Sequence, residues 1–263
     1  MSYRDSLNLA RALSRVPLSE RQTTGRLHSI ESCGTVDGPG IRTVIFLQGC
    51  YLSCRFCHNP DTWDRQCGQQ VTVEQLLHEV MPYRSYHQAS GGGVTLSGGD
   101  PLAQPEFAQA FLLTLRELGI HSALDTSGGR PLNISQPVID AADMVLLDVK
   151  HTDAQSHIWL TGVPQHNVLE TGSYLAQVNK PVWVRHVVIP GITDDEAHFH
   201  RLGELLKQWP NVQRVDLLAY HTMHLHKWKA LGKTNPLEGV PDAPQETIDH
   251  AKKILMQYAL PVS

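Results

Sequence analysis

Six short, almost wholly apolar runs recur along the chain, each parted from the next by residues with helical spacing, and this alternation narrows the fold more than any other feature. The runs are RTVIFLQG (42–49), GVTLSGG (93–99), HSALDTSG (121–128), MVLLDVK (144–150), VWVRHVVIPG (182–191) and VQRVDLLAY (212–220). Helical patterns lie between them, among them TVEQLLHEVMPYR (72–84), PEFAQAFLLTLRELG (105–119) and DDEAHFHRLGELLKQW (194–209), with Pro105 and Asp194 where helix starts favour them. Strands apolar on both faces need cover on both, so the pattern predicts an α/β fold with a parallel sheet under helices. Right-handed crossovers leave two arrangements, an open doubly wound sheet or a barrel, and periodicity does not choose between them.

In either arrangement functional groups gather at the C-terminal ends of the strands. Polar residues obey this: Ser97 to Asp100, Asp125 and Thr126, Asp148 and Lys150, and Tyr220 with His221 fall at or just past the end of a run, while Arg185 lies inside one. At 263 residues the chain can bury a full core, and one domain over residues 25–263 is the expectation. The first 24 residues precede the rhythm and read as a mobile extension or a surface helix. With 41% hydrophobic and 18% charged residues the chain should fold, and a net charge of -4 offers no general attraction to nucleic acid. No leader-like or membrane-spanning run is legible, so the chain reads as cytoplasmic, with neither a membrane nor nucleic acid as partner.

Three of the five cysteines, Cys50, Cys54 and Cys57, fall within GCYLSCRFCHNPDTW, with Phe56 just before the last. Close thiols in a reducing compartment point to metal ligation or redox chemistry more than to disulfides. Three thiolates from one loop can hold an iron-sulfur cluster with one iron left open to a small chelating molecule. A structural zinc completed by Cys33, Cys67 or His58 is the competing metal reading, and a thioredoxin-like redox pair needs only two cysteines. Cys33 and Cys67 are otherwise structural or incidental thiols, and Trp63 and Trp228 packing residues.

The CxxxCxxC spacing with its aromatic residue is similar to the signature of radical S-adenosylmethionine (SAM) enzymes. SCGTVDGPGIR, CHNPDTWD, GGGVTLSGGD, LDTSG, LLDVK, VWVRHVVIPG and YHTMHLHKW then follow in the order found in the branch that activates glycyl radical enzymes, and the resemblance runs from Gly25 to the C-terminus. It implies a partial (β/α)6, TIM-like barrel, a [4Fe-4S] cluster on Cys50, Cys54 and Cys57, and SAM on the unique iron. It further implies reductive cleavage of SAM to a 5′-deoxyadenosyl radical that removes a glycine Cα hydrogen from a partner protein.

Residue by residue, the resemblance places Gly98, Gly99 and Asp100 where the family reads GGE and meets the methionyl amino group. The carboxylate here is one methylene shorter, and the backbone is expected to keep the role. Asp125, Thr126 and Asp148 match a monovalent-cation site; Lys150, Arg185 and His221 match the SAM pocket; Asn59 matches an adenine contact; Asp37 matches a contact to the substrate's glycine loop. Read without the resemblance, Asp37 braces a Gly-Pro turn, Asp125 and Thr126 cap a turn, Lys150 and Arg185 are solvated or salt-bridged, and His221 is one of fifteen histidines. Between His58 and Gly99 only Cys67 interrupts the absence of thiols, whereas many relatives carry a ferredoxin-like insert there. That favours pyruvate formate-lyase as protein substrate over glycerol dehydratase or aromatic decarboxylases, with a flavodoxin or ferredoxin as electron donor. A radical SAM enzyme acting on a small molecule, of the deazapurine synthase type, and a non-enzymatic iron-sulfur or zinc module are the alternatives.

Overall fold

The computed structural model describes residues 13, 14 and 16–263, and the rest of the leading segment lies outside the described residues. The six predicted strands are all present: β2 (Arg42–Leu47), β4 (Gly93–Gly98), β5 (Ser122–Thr126), β6 (Met144–Asp148), β7 (Val182–Val188) and β8 (Val212–Ala219). Two further strands, β1 (Thr24–Gly34) and β3 (Gln69–Thr72), were not legible as strands in the sequence. The chain divides into two compact units. One holds the described residues up to Cys50 with Asp64–Thr126 and Asn133–Val145, and the other holds Tyr51–Trp63, Ser127–Leu132 and Leu146–Ser263.

In the first unit the strand order is β3-β1-β2-β4-β5. β2 pairs with β4 and β4 with β5 in parallel, while β1 pairs antiparallel with both β2 and β3. The parallel strands are buried almost throughout, as strands covered on both faces must be. β1 instead alternates buried with half-buried or exposed residues, the signature of a strand with one wet face. The segment ahead of β1 is tied down: Val16 is buried, Gln22 donates to Glu74 at 3.1 Å, and Thr24 pairs with Thr72.

Helix starts follow local chemistry. Thr72 and Gln75 form a reciprocal capping box at the start of Val73–Val80. Pro105 opens Pro105–Glu117 as predicted. Asp194 does not cap the helix after β7. Asp195 does, accepting from His198 N at 2.8 Å, while Asp194 accepts from Gly191 N at 2.9 Å and closes the preceding turn.

In the second unit β7 and β8 pair in parallel, and β6 neighbours β7. Helices Ala154–Thr161, His166–Gln177, Glu196–Leu206 and Gln245–Met256 belong to this unit. Asp153 caps the first of these by accepting from Ser156 N at 2.8 Å, and Gly162, at φ +81°, ends it. Among the described residues no helix is long and apolar enough to cross a membrane.

Candidate cluster and cofactor site

In the first unit the predicted Gly98–Asp100 segment leaves β4 against the chain that runs into Cys50. Gly99 N donates to Leu47 O and Asp100 N to Gly49 O, each at 2.9 Å. A Cβ on Gly98 would stand 2.2 Å from Leu47 N, and one on Gly99 2.2 Å from Gly49 O, so only glycine permits this approach. Gly98 also takes φ +126°, which disfavours any side chain.

The polar ends of β4 and β5 then meet in register. Ser97 Oγ donates to Asp125 Oδ2 at 2.6 Å, and Thr126 Oγ1 donates to Asp100 Oδ1 at 2.8 Å. The same Asp100 oxygen accepts from Leu102 N at 3.0 Å and caps the turn Pro101–Ala103. Asp100 and Asp125 are both buried. One oxygen of the shorter side chain at position 100 thus ties its own turn to the end of β5.

Asp37 is held by other partners. Its carbonyl accepts from Thr95 Oγ1 at 2.6 Å, and Thr95 in turn accepts from Arg42 Nε. Arg42 is fully buried beneath this turn, where it also donates to Pro39 O at 3.2 Å and Val94 O at 2.6 Å. Burial pushes its pKa down to about 10 although Asp37 and Asp143 oppose the shift. The guanidinium braces the VDGPG turn and leaves the Asp37 side chain half-buried at its rim.

In the second unit Asp148, at the end of β6, gathers both predicted cations. Lys150 Nζ lies 2.9 Å from Oδ2 and Arg185 Nε 3.5 Å from Oδ1. Burial works against the carboxylate, yet the two cations hold the Asp148 pKa below its usual range. Burial equally opposes the Lys150 charge, and Asp148 followed by Cys54 raises it nonetheless. Both carboxylate oxygens therefore face side-chain cations.

Cys54 is buried and Cys57 half-buried, and both belong to this unit. Burial pushes the Cys54 thiol up to about 12 despite Lys150, and raises Cys57 as well. Neither is a thiolate by itself at neutral pH, so a metal must displace the protons and supply the charge that burial denies. The loop is otherwise set for ligation: Cys57 N donates to Cys54 O at 3.0 Å and Trp228 Nε1 to Cys57 O at 2.9 Å. Three soft sulfur donors suit an iron-sulfur cluster, and the cluster the spacing implies fits the donor set present. Trp228 is a packing residue, edge-on to Trp63 at 5.3 Å, but also a clamp on this loop.

Sequence reasoning missed the company that His221 keeps. Its ring lies 4.2 Å from His58, whose ring stacks on His224 at 4.4 Å, and ligand nitrogens of the three lie within 4.8 Å of one another. His224 has both nitrogens engaged, donating to His221 O at 2.8 Å and meeting Asn235 Nδ2 at 3.3 Å. His58 Nε2 and His221 Nδ1 are buried without a partner, the condition of atoms that await a polar ligand. Burial, then His224 and His221, push His58 down to about 3, so it stays neutral. Asn59 Oδ1 accepts from Lys227 Nζ at 2.6 Å, which fixes its amide beside this group.

Comparison with known proteins decides the family. The profile of the Radical SAM superfamily matches residues 44–202. The pyruvate formate-lyase 1-activating enzyme of Escherichia coli (strain K12) is 48% identical over 238 residues, covering 89% of this chain and 96% of that protein. The chain belongs to the radical SAM superfamily and, within it, to the pyruvate formate-lyase activating enzyme family. The pyruvate formate-lyase-activating enzyme of Staphylococcus aureus (strain USA300) is 44% identical over 241 residues, with 89% of this chain and 94% of that protein covered. A radical SAM methyltransferase from Sphaerobacter thermophilus shares the fold at a TM-score of 0.62, with 17% identity over 97% of this chain and 79% of its own. The α/β fold with parallel strands is the radical SAM fold, and membership brings a [4Fe-4S] cluster and SAM as cofactors.

Proposed function

We propose that the chain activates a glycyl radical enzyme, pyruvate formate-lyase, by generating a radical on a glycine of that protein. The observation that carries the reading is the intact Cys50, Cys54, Cys57 loop in a chain that spans 96% of an activating enzyme at 48% identity. When bound, the reduced cluster and SAM together supply the 5′-deoxyadenosyl radical that removes the glycine Cα hydrogen.

Around that chemistry each residue has a task. Cys50, Cys54 and Cys57 hold the cluster. Backbone groups of Gly98 and Gly99 receive the methionyl amino group, and Asp100 supports them by locking the turn it caps. Lys150, Arg185 and His221 line the SAM pocket, and Asn59 meets the adenine. Asp125, Thr126 and Asp148 are assigned to a monovalent cation near the cofactor's carboxylate, and Lys150 and Arg185 balance the charge of Asp148. Asp37 receives the backbone of the incoming glycine segment.

We read residues 25–263 as one functional domain in the cytoplasm, reduced by a flavodoxin or ferredoxin. The test is anaerobic reconstitution, which should give about four irons per chain, followed by mixing with pyruvate formate-lyase, SAM and a reductant. A carbon-centred glycyl signal in electron paramagnetic resonance is expected. SAM cleavage without that signal rejects the protein substrate in favour of a small-molecule reaction, and a zinc-only metal content rejects the radical chemistry.

A further inference from the structure

The cluster loop carries a surface that the ligands do not explain. Arg55 directly follows Cys54, and its guanidinium lies 4.5 Å over the ring of Trp159 while its Nε donates to Trp159 O at 2.7 Å. Trp159 is 47% exposed and its neighbour Ile158 41%, on a short helix otherwise anchored by buried His157 and Leu160. On the other side of Cys54, Arg130 lies 3.8 Å over the ring of Tyr51.

Backbone contacts make this one construction. Ser53 N donates to Thr161 O and Arg55 N to Leu160 O, each at 2.9 Å, and a Cβ on Gly162 would stand 2.4 Å from Ser53 Oγ. A Cβ on Gly129 would stand 2.9 Å from Leu52 Cδ1, so the Arg130 segment packs on the same loop. The segments 51–55, 127–132 and 154–165 contain two arginines and no Asp or Glu. Among the described residues neither guanidinium has a carboxylate within salt-bridge distance. In a chain of net charge -4 these three segments are locally cationic. Beside the Trp159 ring a groove of about 530 Å³, lined also by His151, Gln155 and Ile192, adds no negative charge.

An exposed Trp beside half-buried Arg and Tyr offers the side-chain types that dominate protein interfaces, and unneutralised cations select an acidic partner. Position adds the second constraint, because Arg55 is bonded directly to Cys54. We propose that Arg55, Trp159, Ile158 and Arg130 form the docking surface for an acidic one-electron donor protein, with electron entry at Cys54. In the transfer the donor loses one electron and the bound cluster gains it, and no bond is made or broken. The proposal rests on the radical SAM reading above and deepens it by assigning the donor's site.

The test uses the reconstituted holoprotein and an acidic flavodoxin, with titanium(III) citrate as the small reductant. Flavodoxin affinity of the oxidised holoprotein, measured by titration, should weaken as salt rises. In the Arg55→Glu/Arg130→Glu double variant it should fall by about tenfold or more. Trp159→Ala, which removes an exposed ring, should weaken it by a similar factor. Flavodoxin-driven reduction should slow in both variants, while iron content and titanium-driven SAM cleavage stay at wild-type levels. Unchanged flavodoxin affinity in both variants overturns the proposal. So does an equal loss with both reductants, which places the effect on the loop itself, and so does weakened binding of pyruvate formate-lyase in place of flavodoxin. Failure of the wild-type protein to cleave SAM with titanium would instead reject the radical SAM reading.

Discussion

The strand ends of the two units satisfy their carboxylates by opposite means. In the first, hydroxyls do it: Ser97 donates to Asp125 and Thr126 to Asp100. In the second, full charges do it, with Lys150 and Arg185 on Asp148. A hydroxyl fixes direction and leaves the negative charge in place for an incoming cation, whereas an ion pair cancels charge and depends on both partners. The first region therefore keeps its negative charge, whereas in the second Asp148 is balanced by Lys150 and Arg185.

The sharpest test of the contrast lies in the loop that needs neither device. Cys54→Ala removes a buried sulfur donor that no neighbour replaces, and iron should fall from about four per chain to well under one, with SAM cleavage lost. Full activity in this variant would end the assignment. Next, Lys150→Met leaves Asp148 with Arg185 alone and should destabilise the fold by about 3 kcal/mol in denaturant titration. Adding Asp148→Leu should deepen that loss, because it also takes from Arg185 the carboxylate it faces. If Lys150→Met is neutral, the second region does not depend on its ion pair and the contrast fails.

Gly99→Ala probes the first region, where the backbone and not charge sets the geometry. The new Cβ would meet Gly49 O at 2.2 Å, so strand and loop must part. We expect about 2 kcal/mol of destabilisation, together with loss of SAM binding in equilibrium dialysis.

These contrasts also mark what the sequence makes legible. The six buried strands stand out because apolar runs covered on both faces leave no ambiguity about burial. β1 was hidden because its outward positions, Arg26, His28 and Glu31 among them, break the apolar run, and one wet face reads as loop. The helix start after β7 slipped by one residue because Asp194 and Asp195 are chemically identical, and only the fold assigns one to the turn and the other to the cap. The cysteine spacing is local and needs no fold to be read. The bond from Thr126 to Asp100 joins residues 26 apart in sequence through the pairing of β4 with β5, which no local pattern encodes. His224 joined His58 and His221 by a single turn, Thr222–His224, and the signal available was the HxxH spacing in YHTMHLHKW.

A buried histidine pair extends the second region's dependence on charge to pH. His198 Nε2 lies 3.1 Å from His186 Nε2, and His186 Nδ1 donates to Val149 O, between Asp148 and Lys150. Burial, with His151 and Lys150 adding to it, pushes His186 down to about 4, and burial followed by His186, His151 and Arg201 pushes His198 lower still. Both are neutral when folded but take a proton near pH 6.5 when unfolded. Their stability is intact above that pH and is lost as pH falls from about 6.5 toward the folded value. At pH 5 the loss should be about 2 kcal/mol for each histidine. His198→Gln should flatten the pH dependence of the melting temperature between pH 7 and 5, and an unchanged slope would show that the pair does not titrate as its burial requires.

The smallest effect is expected where a hydroxyl meets a carboxylate. In Asp100→Asn the amide oxygen can still accept from Leu102 N and Thr126 Oγ1, so only the charge of those bonds is lost. A change of about 1 kcal/mol in stability follows from the difference between charged and neutral hydrogen bonds. SAM affinity should fall by less than about tenfold if, as proposed, the backbone of Gly98 and Gly99 receives the amino group while the side chain holds the turn and its bond to Thr126. A loss as large as that of Cys54→Ala would mean that the Asp100 carboxylate meets the cofactor itself, and that the first region supplies charge directly after all.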